Sequence, residues 1–170
     1  MFFEQKVTQA EAAVMSLRQL AHLGDAVFHL FVREKEVFRA SSAKQMHKRT
    51  TKLVSYKAQA RAMQKLTEHL TDNEKDIVRR ARNMKPAAYR SAEQALYRRA
   101  TAFESLLGYL YLSDHARLVE LMMLAEAGID APDAPGDEDL TEDVADDVTS
   151  EDLPGQSDDQ SDETEEGADA

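Results

Sequence analysis

The chain has 170 residues and a formal net charge of −11, but its charges are segregated: all 21 Lys and Arg precede residue 130, while 18 of the 32 acidic residues follow Ile129. Cysteine is absent, which excludes a disulfide framework and thiolate metal sites, and no apolar run approaches the roughly 20 residues that a bilayer span needs. These features imply a basic domain over 1–129, at +7, and an acidic tail over 130–170, at −18, in a soluble cytoplasmic protein without a membrane partner.

The opening MFFEQKVTQAE has no basic stretch followed by an apolar core and a small-residue cleavage site, so no leader is expected. From there the chain reads as helix after helix, with no alternating strand pattern and no internal repeat, and the expected class is all-α. A short helix spans about Gln9 to Leu17, and a longer one about Leu20 to Ala40. Ser41 and Ser42 break the chain and can cap a third helix, roughly Ala43 to Leu70. Thr71-Asp72-Asn73-Glu74 has the spacing of a capping box, in which the threonine hydroxyl and the glutamate carboxylate satisfy each other's free backbone amides; it opens a helix to about Met84. Pro86 ends that helix, and Ser91-Ala92-Glu93-Gln94 is a second box, opening the helix that carries AFESLLGYLYL. A last helix follows Asp114 and is expected to stop at Gly128, in a left-handed cap. The remaining tail combines like-charge repulsion with almost no aliphatic or aromatic content, so disorder is expected. Such a tail solubilises the chain; it can also compete with nucleic acid for the basic domain, in which case truncation at Ile129 should tighten substrate binding.

Two positions break the apolar pattern. In LAHLGDAVFHLF, Leu20, Leu23, Val27, Leu30, Phe31 and Phe38 fall on one stripe of the second helix, yet Gly24 and Asp25 interrupt the run. Asp25 projects from nearly the opposite side, among Ala21, Phe28 and Val32, where protein should surround much of it. The helix after Ser91 repeats the oddity: Leu96, Phe103, Leu106, Leu107 and Leu110 make its main stripe, while Glu104 lies at the edge, one turn before Gly108. Glycine inside a helix costs about 1 kcal/mol against alanine, and a buried carboxylate costs several more unless it is compensated. If the two helices pack together, the glycines permit close backbone approach and the carboxylates meet in one partly desolvated place. A buried acid is ordinarily paired with Arg or Lys, or caps a helix; the alternative is a shared hard cation such as Mg²⁺, which one or two carboxylates hold while waters and substrate phosphates fill the other positions. No P-loop, HExxH, EF-hand loop or GxSxG is present, and the five histidines show no ligand spacing.

Basic residues cluster in three places: Lys44, Lys48, Arg49, Lys52 and Lys57 on the third helix; Arg79, Arg80, Arg82 and Lys85 at the end of the fourth; and Arg90, Arg98 and Arg99 ahead of Glu104. A domain at +7 with such clusters suits a phosphate-rich partner read by backbone charge and shape, as double-stranded RNA is.

The blocks LGDAVFHLFVR, HKRTTKLVSYKAQA, RRARNMK and TAFESLLGYLYL, in that order, resemble the catalytic domain of ribonuclease III. They are most similar to Mini-ribonuclease III, the small bacterial form without a double-stranded-RNA-binding domain. The likeness covers about Leu17 to Leu124. It implies a ribonuclease III-like all-α helical bundle and a homodimeric, Mg²⁺-dependent endonuclease that cuts double-stranded RNA and matures the ends of precursor 23S ribosomal RNA, with ribosomal proteins as further partners. It also implies that Asp25 and Glu104 are the catalytic metal ligands, and that His47, Lys48, Arg82, Asn83, Lys85, Tyr97 and Arg98 contact RNA. Larger ribonuclease III enzymes have further acids where this chain has Ala21 and Thr101, and Mini-ribonuclease III is similar in lacking both. The loop after Lys85, PAAYRSAEQAL, departs from the Gly-rich, Lys-Asn-containing sequence of the subfamily, and the acidic tail lies outside the family pattern. The reduced set of acids leaves a non-catalytic RNA-binding or ribosome-assembly protein on the same fold as the alternative. A helical protein-interaction or DNA-binding module would explain the helices and charge but not the two glycine-flanked carboxylates.

Overall fold

In a computed structural model of the chain, the described residues are 7–84 and 91–129, all within the compact unit Met1–Pro132. The acidic tail therefore lies outside the described residues. The order is α1 (Gln9–Ala13), α2 (Leu17–Arg39), α3 (Ala43–Leu53), α4 (Tyr56–Leu66), a 3₁₀ turn (Thr67–His69), α5 (Asp72–Arg82), α6 (Ser91–Ser113) and α7 (His115–Ile129). Among the described residues there is no strand, as an all-α reading requires, and no helix long and apolar enough to cross a membrane.

The centre of the bundle is α6. Its run Ser105 to Leu110 is buried on every side, the signature of a helix that passes through a core and has no wet face. Five helices, α1, α2, α4, α5 and α7, pack around it. On α2 the buried row is Leu20, Gly24, Phe28, Val32 and Glu36, one residue per step of four, with Ala21 beside it. This differs from the stripe expected from residue size. Leu23, Val27 and Phe31 are only partly buried, and Leu30 and Phe38 are 55% and 86% exposed. The reason is that α6 docks where α2 has least side chain, on the glycine row, so the bulkier stripe is left facing outward.

The expected single helix from Ala43 to Leu70 is two helices and a turn. α3 ends at Leu53 with Val54 as its cap, and Ser55 caps α4: its backbone is extended, and its hydroxyl accepts from the Ala58 amide and donates to the Lys52 carbonyl. A serine amid good helix formers gives little warning of a break, because it competes for the backbone only when its own hydroxyl can replace the lost bonds. α1 is shorter than expected and stops at Ala13, where the Arg80 guanidinium donates to the terminal carbonyl (2.9 Å). The Thr71 capping box forms as expected, with Thr71 N donating to Glu74 Oε2 at 2.8 Å. The Ser91 box falls on side chains outside the described residues. α7 continues through Gly128 to Ile129, in place of the expected stop at the glycine.

Two buried acids are satisfied by arginine. Arg49 holds Glu36, and Arg117 grips Glu74 through Nε (2.9 Å) and Nη2 (3.1 Å) while also donating to the His69 carbonyl. Burial would raise the Glu74 pKa, but the hydrogen bonds from Arg117 and Thr71 and the arginine charge lower it overall. Part of the basic charge read from the sequence is thus structural: Arg49 serves Glu36, and Arg79 and Arg80 both pair with Asp76.

Candidate active site

The site starts from the two glycines. A Cβ on Gly24 would stand 1.8 Å from the Glu104 carbonyl oxygen and 2.8 Å from the Gly108 nitrogen; one on Gly108 would stand 2.0 Å from the Leu20 carbonyl oxygen. All of these are backbone atoms and cannot swing aside, so α2 and α6 meet backbone to backbone only because both positions lack a side chain. Asp25 follows Gly24 directly, and Glu104 lies one turn before Gly108. The closest approach of the two helices therefore carries both carboxylates with it. Phe28 and Phe103, edge to face at 5.1 Å, lock the crossing beside them.

Burial first and the nearby Asp25 charge second push the Glu104 carboxyl up to about 7, against the opposing effect of a hydrogen bond from Gln59. Asp25 is at the rim, its side chain 44% exposed, so it is less enclosed than its apolar helix neighbours suggest, whereas Glu104 is the more desolvated of the pair. His29, one turn along α2, has Nε2 3.4 Å from Asp25 Oδ1.

Gln59 was not singled out from the sequence. It is 2% exposed on α4 between Ala58 and Ala60, and its Nε2 reaches Asp25 Oδ1 (3.5 Å) and the Val54 carbonyl (3.3 Å). A large amide in a run of buried alanines was the available signal. Tyr56, one turn earlier, stacks on Tyr97 of α6 with ring centres 4.1 Å apart and planes at 11°, which fixes α4 against α6 at the same level.

The donor set suits a hard divalent cation. Burial, with the Asp25 charge added to it, leaves the Glu104 carboxylate needing a counter-charge, and Gln59 Oε1 is buried without a hydrogen-bond partner. Among the described residues no group of three His, Cys, Asp or Glu is arranged for a metal, so water and substrate phosphate would complete the coordination. The positions that could have carried further acids are filled by Ala21, which is buried, and Thr101, whose carbonyl accepts from the Ser105 hydroxyl (2.7 Å).

The candidate RNA contacts fall into separate places. Arg82 and Asn83 from α5 and Arg98 from α6 line one groove of about 680 Å³, together with Lys75, Arg79 and Arg99. At about 100° per residue Arg98 is turned roughly 120° round α6 from Glu104, so this groove opens against α5 and not over the acids; Tyr97 shares the Glu104 face. His47 and Lys48 are exposed on α3, and Lys85 lies outside the described residues.

Residues 18–115 match the ribonuclease III domain family. Curated relatives include the Mini-ribonuclease 3 of a Synechocystis strain, 42% identical over 133 residues (76% of this chain, 93% of the relative), and that of a Thermoanaerobacter strain, 41% identical over 129 residues (73% and 91%). A crystal structure of a protein from Fusobacterium nucleatum superposes with a TM-score of 0.59 at 26% identity, covering 68% of this chain and 95% of that one.

Proposed function

The chain belongs to the ribonuclease III family as an endoribonuclease of the Mini-ribonuclease III type, and from that premise we propose that it cuts double-stranded RNA with Mg²⁺ held between Asp25 and Glu104, working as a homodimer that matures the ends of precursor 23S ribosomal RNA. The observation that carries this reading is the convergence of the two carboxylates at the Gly24–Gly108 crossing, with the Glu104 carboxyl pushed up to about 7 by burial and by the Asp25 charge.

Both carboxylates must be ionised to bind a cation, so Glu104 gives up its proton when the site is loaded, and affinity should fall as the pH drops through about 7. When bound, Mg²⁺ supplies a Lewis acid that polarises the scissile phosphate, favours ionisation of the attacking water and offsets charge on the leaving 3′-oxygen. Asp25, at the rim, is placed to meet incoming RNA, while Glu104 anchors the site from inside. In-line hydrolysis leaves 5′-phosphate and 3′-hydroxyl ends.

The apolar stripe that α2 turns away from α6 supports the dimer. Leu30 and Val119 are exposed along a shallow groove between α2 and α7 lined also by Val27, Phe31 and Leu118, and Met123 and Leu124 of α7 are exposed as well. An apolar surface of this kind, on the flank of α2 opposite Asp25, suits an isologous contact with a second copy. Two active sites related by the twofold would then cut the two strands with a stagger.

The test is incubation with precursor 23S ribosomal RNA and with a generic duplex, in Mg²⁺ and in EDTA. The expected result is metal-dependent cutting with preference for the precursor, and loss of cutting but not of RNA binding in Glu104→Gln. Full activity of that variant, or cutting in EDTA, would remove the acid pair from the chemistry.

A further inference from the structure

Ala58, Gln59, Ala60 and Ala62 are all buried, at 0–2% exposure, and three of the four are the smallest side chain that still favours a helix. A long amide in that run displaces packing and must be satisfied. Part of the reason for it is local. Val54, the cap at the end of α3, has a carbonyl without a helical partner, and one Nε2–H of Gln59 takes it (3.3 Å). A purely structural stitch would stop there. The same nitrogen also reaches Asp25 Oδ1 (3.5 Å), the Glu104 carboxylate gains a hydrogen bond from the same side chain, and Oε1, on the same amide, is buried without any partner. Gln59 therefore reaches both acids with one amide, whose own carbonyl oxygen is left without a partner.

We propose that Gln59 is a positioning residue for the acid pair: its amide nitrogen holds the two carboxylates together in the arrangement that a shared cation needs. The inference rests on the reading of Asp25 and Glu104 as cation ligands. With only two carboxylates to hold the cation, a neighbour that fixes their orientation sets how well they bind it. The break at Ser55 belongs to the same device, since it starts α4 afresh and sets the direction from which Gln59 enters.

The experiment uses the full chain with Mn²⁺ as the probe, its dissociation constant read by electron paramagnetic resonance, for the wild type, Gln59→Leu, Gln59→Asn and Glu104→Gln. Melting temperature without metal and cleavage of a duplex RNA against Mg²⁺ concentration are measured alongside. Gln59→Leu should weaken Mn²⁺ by roughly 10- to 100-fold, the range typical of groups that support metal ligands, while leaving duplex binding in Ca²⁺ unchanged. Its cutting should recover toward the wild-type rate as Mg²⁺ is raised, and Gln59→Asn should lie between the two. Wild-type Mn²⁺ affinity in Gln59→Leu, with affinity lost in Glu104→Gln, overturns the role of Gln59 alone; wild-type affinity in both overturns the cation site and this proposal with it. Should Gln59→Leu fail to fold because the Val54 carbonyl is orphaned, Gln59→Glu replaces it. A third carboxylate facing the other two should make the Mn²⁺-induced rise in melting temperature larger than in the wild type, and an equal or smaller rise refutes the proposal.

Discussion

Replacing Glu104 by glutamine should stabilise the metal-free protein even as it abolishes the proposed activity. Burial and the Asp25 charge hold the folded-state pKa at about 7 against an ordinary 4.5, so the group releases its proton more readily in the unfolded chain. Below pH 4.5 both states are protonated and the acid costs nothing; between 4.5 and 7 the folded state holds the extra proton and stability falls with pH; above 7 the loss is complete. The rise from 4.5 to about 7, at about 1.4 kcal/mol for each tenfold change in proton affinity, sets the loss at about 3.5 kcal/mol. Urea unfolding in EDTA should therefore find Glu104→Gln more stable than the wild type by up to about 3.5 kcal/mol near pH 8.5, and by less than about 1 kcal/mol near pH 5. Millimolar Mg²⁺ should close the gap by stabilising the wild type alone. A variant less stable than the wild type near pH 8.5, or a difference that ignores pH, would refute the electrostatic picture of the site.

Gly24→Ala should destabilise by more than about 3 kcal/mol despite the roughly 1 kcal/mol gained in helix propensity, because the new methyl meets backbone at 1.8 Å; chemical denaturation measures it. Leu30→Asp should leave a folded monomer in place of the proposed homodimer in sedimentation equilibrium, with circular dichroism unchanged, since Leu30 is exposed and outside the core. Arg98→Ala should weaken duplex binding uniformly across sequences and lower the slope of log affinity against log salt by about 1, as loss of one phosphate contact does. Arg117→Leu should cost about 3–5 kcal/mol in thermal or urea unfolding, because Glu74 is left buried without its cation.

What could be read from the sequence was whatever violated a local rule. Gly24 and Asp25, and again Glu104 and Gly108, stand out because each costs free energy in an apolar helix unless tertiary contact repays it, and that contact is the crossing of α2 and α6. The Thr71 box was legible for the same reason, since its four residues satisfy the helix start by themselves. Features decided by tertiary choice left weaker marks. Side-chain size pointed to the Leu30 and Phe38 stripe as core, but the deepest contact goes to the face with no side chain in the way. Ser55 ends one helix and begins another through hydroxyl bonds that its sequence neighbours do not announce. Gln59 belongs to a block whose order resembles the family, yet its function depends on two acids 34 residues before it and 45 after it, and no spacing along α4 encodes that.

The most direct measurement of the central claim is anomalous diffraction at the manganese edge from crystals of the full chain soaked in Mn²⁺. One peak within bonding distance of both the Asp25 and Glu104 carboxylates, lost in Glu104→Gln crystals, is the expected result. Carboxylates that face apart with no peak between them, or a peak held by one acid alone and unchanged in the variant, would contradict it.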